Sequence, residues 1–331
     1  MSTERSMPTM GDIADRVGVS RQLVSLVMRN ARGPSPATRE RVLAAAAELG
    51  YRTHAPARLL RQKRTGLIGA FYSMRHPFES HVAEEMLRNA PKRDFRLVLG
   101  PVTEWRSTGE AIDELLEQRV EALVGFVSPD WEELVERVGP HIPIVFLGGP
   151  SPGIDNVHID NARGMRLAID HLRELGHTRI AHLAGDHDLV GDDRARAYEQ
   201  AMLDSDLMPD VFSAGWSEED GARAAGRWMT AGPGRPTAVL CASDMIAVGF
   251  LAALAQAGVS VPRDLSVVGW DDSYVAALSY HDLTSVRQDT DVTAAAGLDL
   301  AVRRLDDPEA EVVSLLTDPR LVVRSTTARL A

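Results

Sequence analysis

Hydrophobic positions follow two different spacings along the 331 residues of this chain. In residues 1–50 they recur every three or four positions, in three short stretches that are separated by glycines. Thr9 and Ser20 are suited to cap the first two stretches. Ser35 and Pro36 begin the third stretch, and Gly50 ends it. The pattern predicts three helices, which are too short to be stable unless they pack together.

From about residue 65 onward, short apolar runs alternate with amphipathic stretches such as Gly164–Leu175 and Met245–Ala257. Alternation of strand and helix predicts a parallel sheet with helices on both faces, and the number of runs fits two doubly wound lobes. The predicted strands are Leu67–Tyr72, Leu97–Leu99, Ala122–Val127, Ile144–Leu147, Ile180–Ala184, Ala238–Cys241, Leu265–Val268 and, last, Arg320–Ser325.

The distribution of charge divides the chain at nearly the same place. With 36 basic and 47 acidic residues the net charge is −11, which by itself argues against nucleic acid as a partner. Residues 1–65, however, contain 12 basic and 5 acidic residues, a net charge of +7, whereas the remainder has a net charge of −18. A basic arm on an acidic body indicates a nucleic-acid-binding N-terminal domain. An incidental run of charge is the alternative.

Other features exclude whole classes of protein. The single cysteine, Cys241, lies in an apolar run, so we expect neither a disulfide framework nor an all-cysteine metal site. No apolar run approaches the roughly 18 residues that a membrane span needs. Residues 1–10 lack the apolar core of a secretion signal, so we expect a cytoplasmic protein. We find no HExxH, GxSxG or phosphate-binding-loop motif, and we expect no catalysis, no metal site and no cofactor.

The segment Gly11–Arg29, GDIADRVGVSRQLVSLVMR, has the spacing of a helix-turn-helix, with a Gly-Val-Ser turn between two short helices. In this motif the first residues of the second helix enter the DNA major groove. Those residues are Arg21 and Gln22. Arginine can bind guanine and glutamine can bind adenine through paired hydrogen bonds, each worth about 1–3 kcal/mol of discrimination. A solvated helix start is the alternative, but the motif and the local charge favour DNA binding.

These segments, together with several in the body, resemble the lactose/galactose-repressor (LacI/GalR) family of bacterial transcription regulators over nearly the whole chain. DIADRVGVSRQLVS and SPATRERVLAAAAELGY match the N-terminal signature of the family. The matching body segments are IDHLRELGHTRIAHLAG (169–185), PTAVLCASDMIAVG (236–249), SVVGWDD (266–272) and LTSVRQD (283–289). Several long matches in the right order make the resemblance specific.

The resemblance implies a small all-α helix-turn-helix domain followed by an α/β body like that of periplasmic binding proteins. The body would consist of two doubly wound parallel-sheet lobes. The implied boundaries are residues 1–52 for the DNA-binding domain, 53–65 for a hinge helix or linker, 66–331 for the body, about 66–161 and 290–317 for the N-lobe, and about 162–289 and 318–331 for the C-lobe.

The resemblance also implies how the protein contacts DNA. Arg21 and Gln22 match two base-reading residues of the family. The third such residue is usually arginine, but this chain has Leu26 at that position. Leucine can touch a thymine methyl group but cannot bind guanine through paired hydrogen bonds. We therefore expect an operator that differs from the common half-site of the family. The candidate backbone contacts, of which the last can also contact a base, are Ser20, Ser25, Thr38 and Arg29.

In the implied hinge helix, Ala57 and Leu60 match the pair that enters the minor groove, where Leu60 would act as a wedge that kinks the duplex. Pro56 is unusual at its position and is tolerated only in the first turn of a helix, so we expect the hinge helix to begin near Ala55. A buried linker leucine is the alternative for Leu60.

An effector cleft between the lobes is implied as well. Arg194 and Asp271 match residues that bind effector hydroxyls, and Trp216 matches an aromatic residue that packs against the ligand. An Arg–Asp pair with aromatic faces suits a polyol, although the two residues could instead form only an ion pair. Further matching positions are Phe78, Phe126, Ser243 and Asp244. The loss of polar groups at Phe126, Ser243 and Gly148 suggests an effector that is larger or less polar than an ordinary monosaccharide.

Together these features predict a homodimeric repressor that binds a roughly palindromic operator on double-stranded DNA at the nucleoid. A sugar-like effector would change the angle between the lobes and release the DNA. Because the chain ends soon after its last predicted strand, a dimer is expected rather than a tetramer. The opposite sign, with the effector as corepressor, stays open. A solute-binding protein is the other class of alternative, and the basic arm and the missing secretion signal argue against it.

Overall fold

A computed structural model describes residues 8–28, 31–51 and 64–330. The chain divides into two compact units, Met1–Thr65 and Gly66–Ala331. The described part of the first unit is helical, and the second unit contains two β-sheets with helices on both sides. No helix among the described residues is long and apolar enough to cross a membrane.

Three helices form the described part of the N-terminal unit: α1 (Met10–Val17), α2 (Arg21–Met28) and α3 (Pro36–Glu48). The expected caps are confirmed. Thr9 and Asp12 form a reciprocal capping box at the start of α1, and Gly18 ends that helix in the left-handed conformation, with φ of 71°. The Ser20 hydroxyl accepts a hydrogen bond from the Leu23 N–H at 3.2 Å and thereby caps α2.

Two arginines of α3 help to hold the three helices together. Arg41 donates from Nη2 to the Val17 carbonyl at 2.6 Å, and Arg39 donates from Nη2 to the Ala31 carbonyl at 2.7 Å. These carbonyls lie at or just beyond the C-terminal ends of α1 and α2, where backbone acceptors lack helical partners and positive charge is favourable. The apolar core beneath them consists of Ile13, Ala14, Val17, Val24, Val27, Val42, Ala45 and Ala46.

The N-lobe of the second unit is a six-stranded parallel sheet with the strand order β11-β5-β4-β3-β1-β2. Its strands are β1 (Leu67–Ser73), β2 (Arg96–Val102), β3 (Ala122–Phe126), β4 (Ile144–Leu147), β5 (Asn156–Ile159) and β11 (Ser314–Thr317). Its helices are α4 (Pro77–Asn89), α5 (Thr108–Glu117), α6 (Trp131–Val138) and α11 (Thr290–Asp306), with a 3-10 turn at Ala90–Arg93.

The C-lobe is a second six-stranded sheet with the order β12-β10-β9-β8-β6-β7, parallel except that β12 runs antiparallel to β10. Its strands are β6 (Ile180–Ala184), β7 (Val211–Ser213), β8 (Ala238–Cys241), β9 (Ser266–Asp271), β10 (Thr284–Arg287) and β12 (Arg320–Val322). Its helices are α7 (Asn161–Glu174), α8 (Leu189–Leu203), α9 (Glu218–Thr230) and α10 (Asp244–Gln256).

The two doubly wound lobes confirm the predicted fold class, and the chain passes between the sheets after β5, after β10 and after β11. Predicted strands Ile144–Leu147, Ile180–Ala184 and Ala238–Cys241 have the observed bounds. Four strands were not predicted: β5, β7, β10 and β11. The last predicted strand is shorter than expected, because β12 ends at Val322.

The carboxyl ends of the strands of both lobes meet at the cleft between them. His76 follows β1 and precedes α4, and its Nε2 lies 3.9 Å from Oδ2 of Asp271, the last residue of β9. At another point Gly149 packs directly against Val190 of α8. The contact between His76 and Asp271 places polar side chains of the two lobes face to face, as expected where ligands bind in open α/β sheets.

Candidate functional site

The start of α2 presents the predicted base-reading residues. Arg21 and Gln22 are exposed, whereas Val24 and Val27 on the opposite side of α2 are buried in the domain core. Leu26 is half-buried. The helix therefore fixes its own orientation through its apolar face and leaves the guanidinium and amide groups of its first turn available to a partner.

The predicted phosphate contacts differ in their surroundings. Ser20 is exposed, whereas Ser25 and Thr38 are half-buried. The Thr38 hydroxyl lies 2.9 Å from the Ser35 hydroxyl at the start of α3. Arg29, Ala57 and Leu60, together with Pro56, lie outside the described residues.

Arg194 and Asp271 form the centre of the second site, within the C-lobe. Their side chains are only 5% and 2% exposed, and Nη2 of Arg194 lies 3.9 Å from Oδ1 of Asp271. Arg194 also donates from Nη1 to the Ala242 carbonyl at 2.5 Å. Among the described residues its Nε has no hydrogen-bond partner. The guanidinium is thus anchored through Nη1, and its Nε is left to donate a hydrogen bond to a ligand. A residue that served only in an ion pair would not need this unused donor.

The backbone directs the Asp271 carboxylate into the cleft. Asp271 has φ of 105°, a conformation that residues other than glycine rarely adopt and that is typical of functional sites. Gln288 donates from Nε2 to Oδ1 of Asp271 at 2.6 Å. The next residue, Asp272, is fixed by an ion pair of 2.6 Å with Arg324. The carboxylate is therefore held in one orientation by groups on both sides of the chain.

Two tryptophans flank Arg194. Its guanidinium carbon lies 5.8 Å from the ring centre of Trp216 and 5.1 Å from that of Trp270, a cation–π arrangement. Trp216 is held in turn by Asp188, which accepts a hydrogen bond from its Nε1 at 2.8 Å. The ring also needs Gly185, since a Cβ there would lie 2.2 Å from it.

On the N-lobe side the expected aromatic residues, Phe78 and Phe126, belong to the apolar core of that lobe or pack against it. Phe78 is 4% exposed and packs edge-on against Phe126, with ring centres 5.9 Å apart. Gly148, with φ of 91°, occupies the position where the family commonly has aspartate. The Phe126 ring packs beside it, so an apolar group lies where relatives have a carboxylate. Phe78 therefore exposes little surface, and half-buried Phe126 can offer apolar contact but no hydrogen bond.

Ser243 and Asp244 are less available than expected. Both are fully buried. Ser243 caps α10 by accepting a hydrogen bond from the Ile246 N–H at 3.3 Å. Asp244 accepts hydrogen bonds from the N–H and hydroxyl of Ser273 and from the Ser285 hydroxyl, all at 2.7 Å. Asp244 thus ties α10 to the segment after β9 and to β10. These hydrogen bonds use both carboxylate oxygens of Asp244 to hold the cleft segments in place.

Sequence reasoning did not identify His76 and Glu79 as site residues. The structure places His76 opposite Asp271, while Oε2 of Glu79 accepts a hydrogen bond from the Ser73 N–H at 2.6 Å. The available signal was the segment HPFES, in which ionisable residues surround the proline that begins α4. Because both belong to the N-lobe and Asp271 to the C-lobe, local sequence could not show that His76 lies close to Asp271.

Burial favours the neutral form of five ionisable groups around the cleft. It raises the pKa of Asp271 to about 6, although the charge of Arg194 opposes this shift. Burial, together with the charge of Asp271, raises the pKa of Asp244 to about 8. It also raises the pKa of Glu79 and lowers the pKa values of His76 and Arg194. Burial therefore keeps these carboxyl groups less charged than they would be in water.

In residues 8–28, 31–51 and 64–330, no group of three or more His, Cys, Asp or Glu side chains has the arrangement needed to hold a metal ion. Cys241 is a buried free thiol, and burial raises its pKa above the usual range. It lies in the apolar core of the C-lobe.

A helix-turn-helix unit joined to a two-lobed body with a polar cleft defines a class: DNA-binding regulators with a ligand-binding body. Comparison with known proteins gives the family. Residues 9–54 match the family described as bacterial regulatory proteins, lacI family, and residues 169–327 match a periplasmic binding protein-like domain. This chain belongs to the LacI family of transcription regulators.

Individual relatives match the sequence of this chain over nearly their full lengths. The transcriptional repressor PurR of Vibrio campbellii is 32% identical, covering 98% of this chain and 100% of the relative. The ribose operon repressor of Escherichia coli is 32% identical, covering 96% and 99%. The crystal structure of the Lac repressor dimer bound to operator and the anti-inducer ONPF is 30% identical, with a TM-score of 0.83 over 98% of this chain and 100% of that one.

Proposed function

We propose that this chain is a repressor that reads its operator with the start of α2 and leaves it when a hydroxyl-bearing effector binds between the lobes. The observation that carries the DNA-binding part is the exposure of Arg21 and Gln22 on a helix whose other face is buried. These two side chains supply the paired donors and acceptors that major-groove base edges can match. Leu26 adds apolar surface, suited to a thymine methyl group.

The effector part of the proposal rests on the cleft. Arg194 and Asp271 offer hydrogen bonds to hydroxyl groups, and Trp216 offers an apolar face. One similar protein is named for a ribose operon, and another has been solved with an anti-inducer and operator DNA. A small molecule that contacts both lobes favours one lobe angle, which is how a bound effector would be coupled to the DNA-binding unit.

The proposed assembly is a homodimer in the cytoplasm, bound at the nucleoid. The Lac repressor comparison is a dimer on its operator. Two copies of α2 would then read two half-sites about one helical turn or a multiple apart, so the operator would be roughly palindromic. We propose no enzymatic activity, since the cleft residues bind and orient groups but lack a paired nucleophile and base.

Substitution of Arg21 tests the DNA-reading role. Arg21→Ala is expected to weaken operator binding by about 1–3 kcal/mol and to relax base preference at one position of each half-site. Arg32→Ala removes the same charge from an exposed position of the same unit. It is expected to weaken binding equally for all sequences, because it removes charge without removing base recognition. Selection of genomic fragments, followed by titration against single-base variants, measures both effects.

Two results of this experiment would contradict the proposal. One is a selection in which the wild-type protein enriches no common sequence. The other is an Arg21→Ala protein that keeps the full base preference of the wild type. Either result removes the start of α2 from the base-reading role, even if the fold is intact.

A further inference from the structure

An apolar contact joins the two lobes at the start of α8. Gly149, in the segment after β4 of the N-lobe, packs against Leu189 and Val190 in the first turn of α8. A Cβ at Gly149 would lie 3.1 Å from a methyl carbon of Val190 and 3.8 Å from the Cβ of Leu189. It would also lie 3.0 Å from a methyl carbon of Val127. Carbon atoms attract best at about 3.5–4.0 Å, so no room remains here for a side chain. Val127, Gly149, Leu189 and Val190 together form the interlobe contact.

The N-lobe side of the interlobe contact is held by hydrogen bonds at the ends of β3 and β4. The Val127 N–H donates to the Leu147 carbonyl at 3.1 Å, and the Gly148 N–H donates to the Val157 carbonyl at 2.9 Å. Gly149, the next residue, is buried. Because this backbone is tied to the strands, the surface that α8 meets moves together with the sheet of the N-lobe.

The C-lobe side of the interlobe contact belongs to the same helix as Arg194. Asp188 caps this helix, α8, and its Oδ1 accepts hydrogen bonds from the N–H groups of Val190 at 2.9 Å and of Gly191 at 2.8 Å. Val190 and Arg194 have the i, i+4 spacing that places two side chains on one face of a helix. A ligand that moves Arg194 therefore moves the interlobe contact through a single rigid element.

The polar contact between the lobes contributes less to their arrangement. Nε2 of His76 lies 3.9 Å from Oδ2 of Asp271, which is too long for a hydrogen bond. Burial lowers the pKa of His76, so the imidazole is uncharged near neutral pH and forms no ion pair with the carboxylate. The interlobe contact at Gly149 depends on neither charge nor ligand, and it is therefore the stronger of these two links.

We infer that the interlobe contact holds the lobes at the angle that binds operator, and that the effector releases the DNA by separating Val190 from Gly149. This inference rests on the proposed function and adds the device that sets the lobe angle. The contact forms within the protein alone, so it favours the effector-free state, which is the operator-binding state of the proposed repressor. Its energy comes from burial of apolar side chains. A change that exposes Leu189 or Val190 to water therefore shifts the protein toward the released state.

A disulfide across the interlobe contact tests whether this lobe angle binds operator. The Cβ separation of 3.8 Å between positions 149 and 189 suits a disulfide, so Gly149→Cys/Leu189→Cys is expected to form an intramolecular bond on oxidation. Cys241 does not interfere, because its thiol is fully buried and burial raises its pKa.

The oxidised protein is expected to bind operator within about twofold of the reduced protein, since the bond fixes the lobe angle that the contact already favours. The probe is the DNA fragment that the wild-type protein enriches most strongly, and mass spectrometry of tryptic peptides confirms the bond. Gly149→Cys/Leu203→Cys places its second cysteine at the last residue of α8 and is expected to form no such bond.

Val190→Asp tests the same contact by opening it. The carboxylate enters an apolar contact, whereas an acidic residue in the first turn of a helix stabilises the helix itself. Operator binding without effector is expected to weaken about tenfold, because the population shifts toward the released state. Val292→Asp makes the same change at an exposed valine in the first turn of α11 and is expected to leave operator binding unchanged. When Val190→Asp is combined with the cysteines at positions 149 and 189, oxidation is expected to restore operator binding.

Each contrary outcome overturns the inference. The cysteines at positions 149 and 189 form no bond, the oxidised protein loses operator binding, or Val190→Asp binds operator as tightly as the wild type. Circular dichroism shows whether Val190→Asp is folded, and if it is not, the disulfide experiment decides. Failure of these variants while the wild type binds operator disproves only the interlobe contact as the device. A wild-type protein that enriches no DNA fragment disproves the proposed function, and the inference with it.

Discussion

Gly249→Ala is expected to destabilise the C-lobe by about 3 kcal/mol or more, a value at the upper end for a single substitution. A Cβ at Gly249 of α10 would lie 1.8 Å from the carbonyl oxygen of Glu218 at the start of α9. The reciprocal contact is as close, because a Cβ at Gly221 would lie 2.1 Å from the Ile246 carbonyl oxygen. Both obstacles are backbone atoms, which cannot rotate away as a side chain can. The two helices would have to separate.

Gly226→Ala is the matched control for this prediction. Gly226 lies in α9, and a Cβ there would meet nothing within 4 Å. Alanine at an unobstructed helical position is expected to stabilise the protein by roughly 0.5–1 kcal/mol, since glycine loses more backbone entropy on folding. Thermal or urea unfolding measures both variants. An unchanged stability of Gly249→Ala would mean that α9 and α10 do not pack at this separation.

The Gly249→Ala substitution is also expected to affect the cleft, because α10 begins there. Its first residue, Asp244, holds Ser273 and Ser285, which belong to the segments that orient Asp271. A shift of α10 therefore moves the cleft carboxylate as well. We expect Gly249→Ala to weaken effector binding in addition to lowering stability, although Gly249 itself is not placed among the cleft residues.

Local sequence predicted those elements whose signal is local. The caps at Thr9, Ser20 and Ser35 were readable because side-chain capping needs only two to three neighbouring residues. The buried strands β4, β6 and β8 were readable because their residues are uniformly apolar. Sequence could therefore predict the helix-turn-helix and the alternation of strands and helices.

Two of the missed strands, β10 and β7, are polar or very short. β10 reads TSVR, yet Thr284 and Ser285 are fully buried. Their hydroxyls are satisfied from other elements: Thr284 donates to the Arg324 carbonyl, and Ser285 donates to Asp244. β7 has three residues. Hydrophobic periodicity cannot identify a strand whose burial depends on hydrogen bonds supplied by distant parts of the chain.

Sequence patterns have a similar limit in predicting the cleft residues. Arg194 and Asp271 could be proposed from the family resemblance, but their burial and the left-handed backbone at Asp271 required the structure. Sequence patterns did not identify His76 and Glu79 as site residues, because these two belong to the N-lobe and Arg194 and Asp271 to the C-lobe. Asp244 was expected to contact the effector on account of its position, and only its three hydrogen bonds reveal that it holds the site together.

Charge counting predicted the location of the DNA-binding unit but overstated the charge free to contact phosphates. Arg39 and Arg41 donate to backbone carbonyls of neighbouring segments, and Arg16 pairs with Glu48 at 3.2 Å. A net charge of +7 therefore includes arginines that contribute to the packing of the three helices. Salt dependence of operator binding is expected to report fewer phosphate contacts than the basic residues of this segment would suggest.

Arg194→Met is expected to abolish the effector response and to destabilise the C-lobe by about 3–5 kcal/mol near neutral pH. The methionine side chain fills part of the same space but leaves Asp271 buried without its arginine. Operator binding by the effector-free protein is expected to persist wherever the variant is folded, since Arg194 lies in the body and not in α2. Operator release on addition of effector, together with urea unfolding, measures both consequences.

The destabilisation should depend on pH in a defined direction. In the wild type the pKa of Asp271 is raised to about 6, above the roughly 3.9 of an unfolded chain, so its contribution to stability decreases as pH rises between these values. Without Arg194 the folded-state pKa rises further, and the decrease continues to higher pH. The cost of Arg194→Met should thus be smaller at pH 5 than at pH 8. Arg196→Met removes an exposed arginine from the same helix and should cost less than about 0.5 kcal/mol at either pH. A cost of Arg194→Met that is the same at both pH values would show that the arginine does not control the ionisation of Asp271.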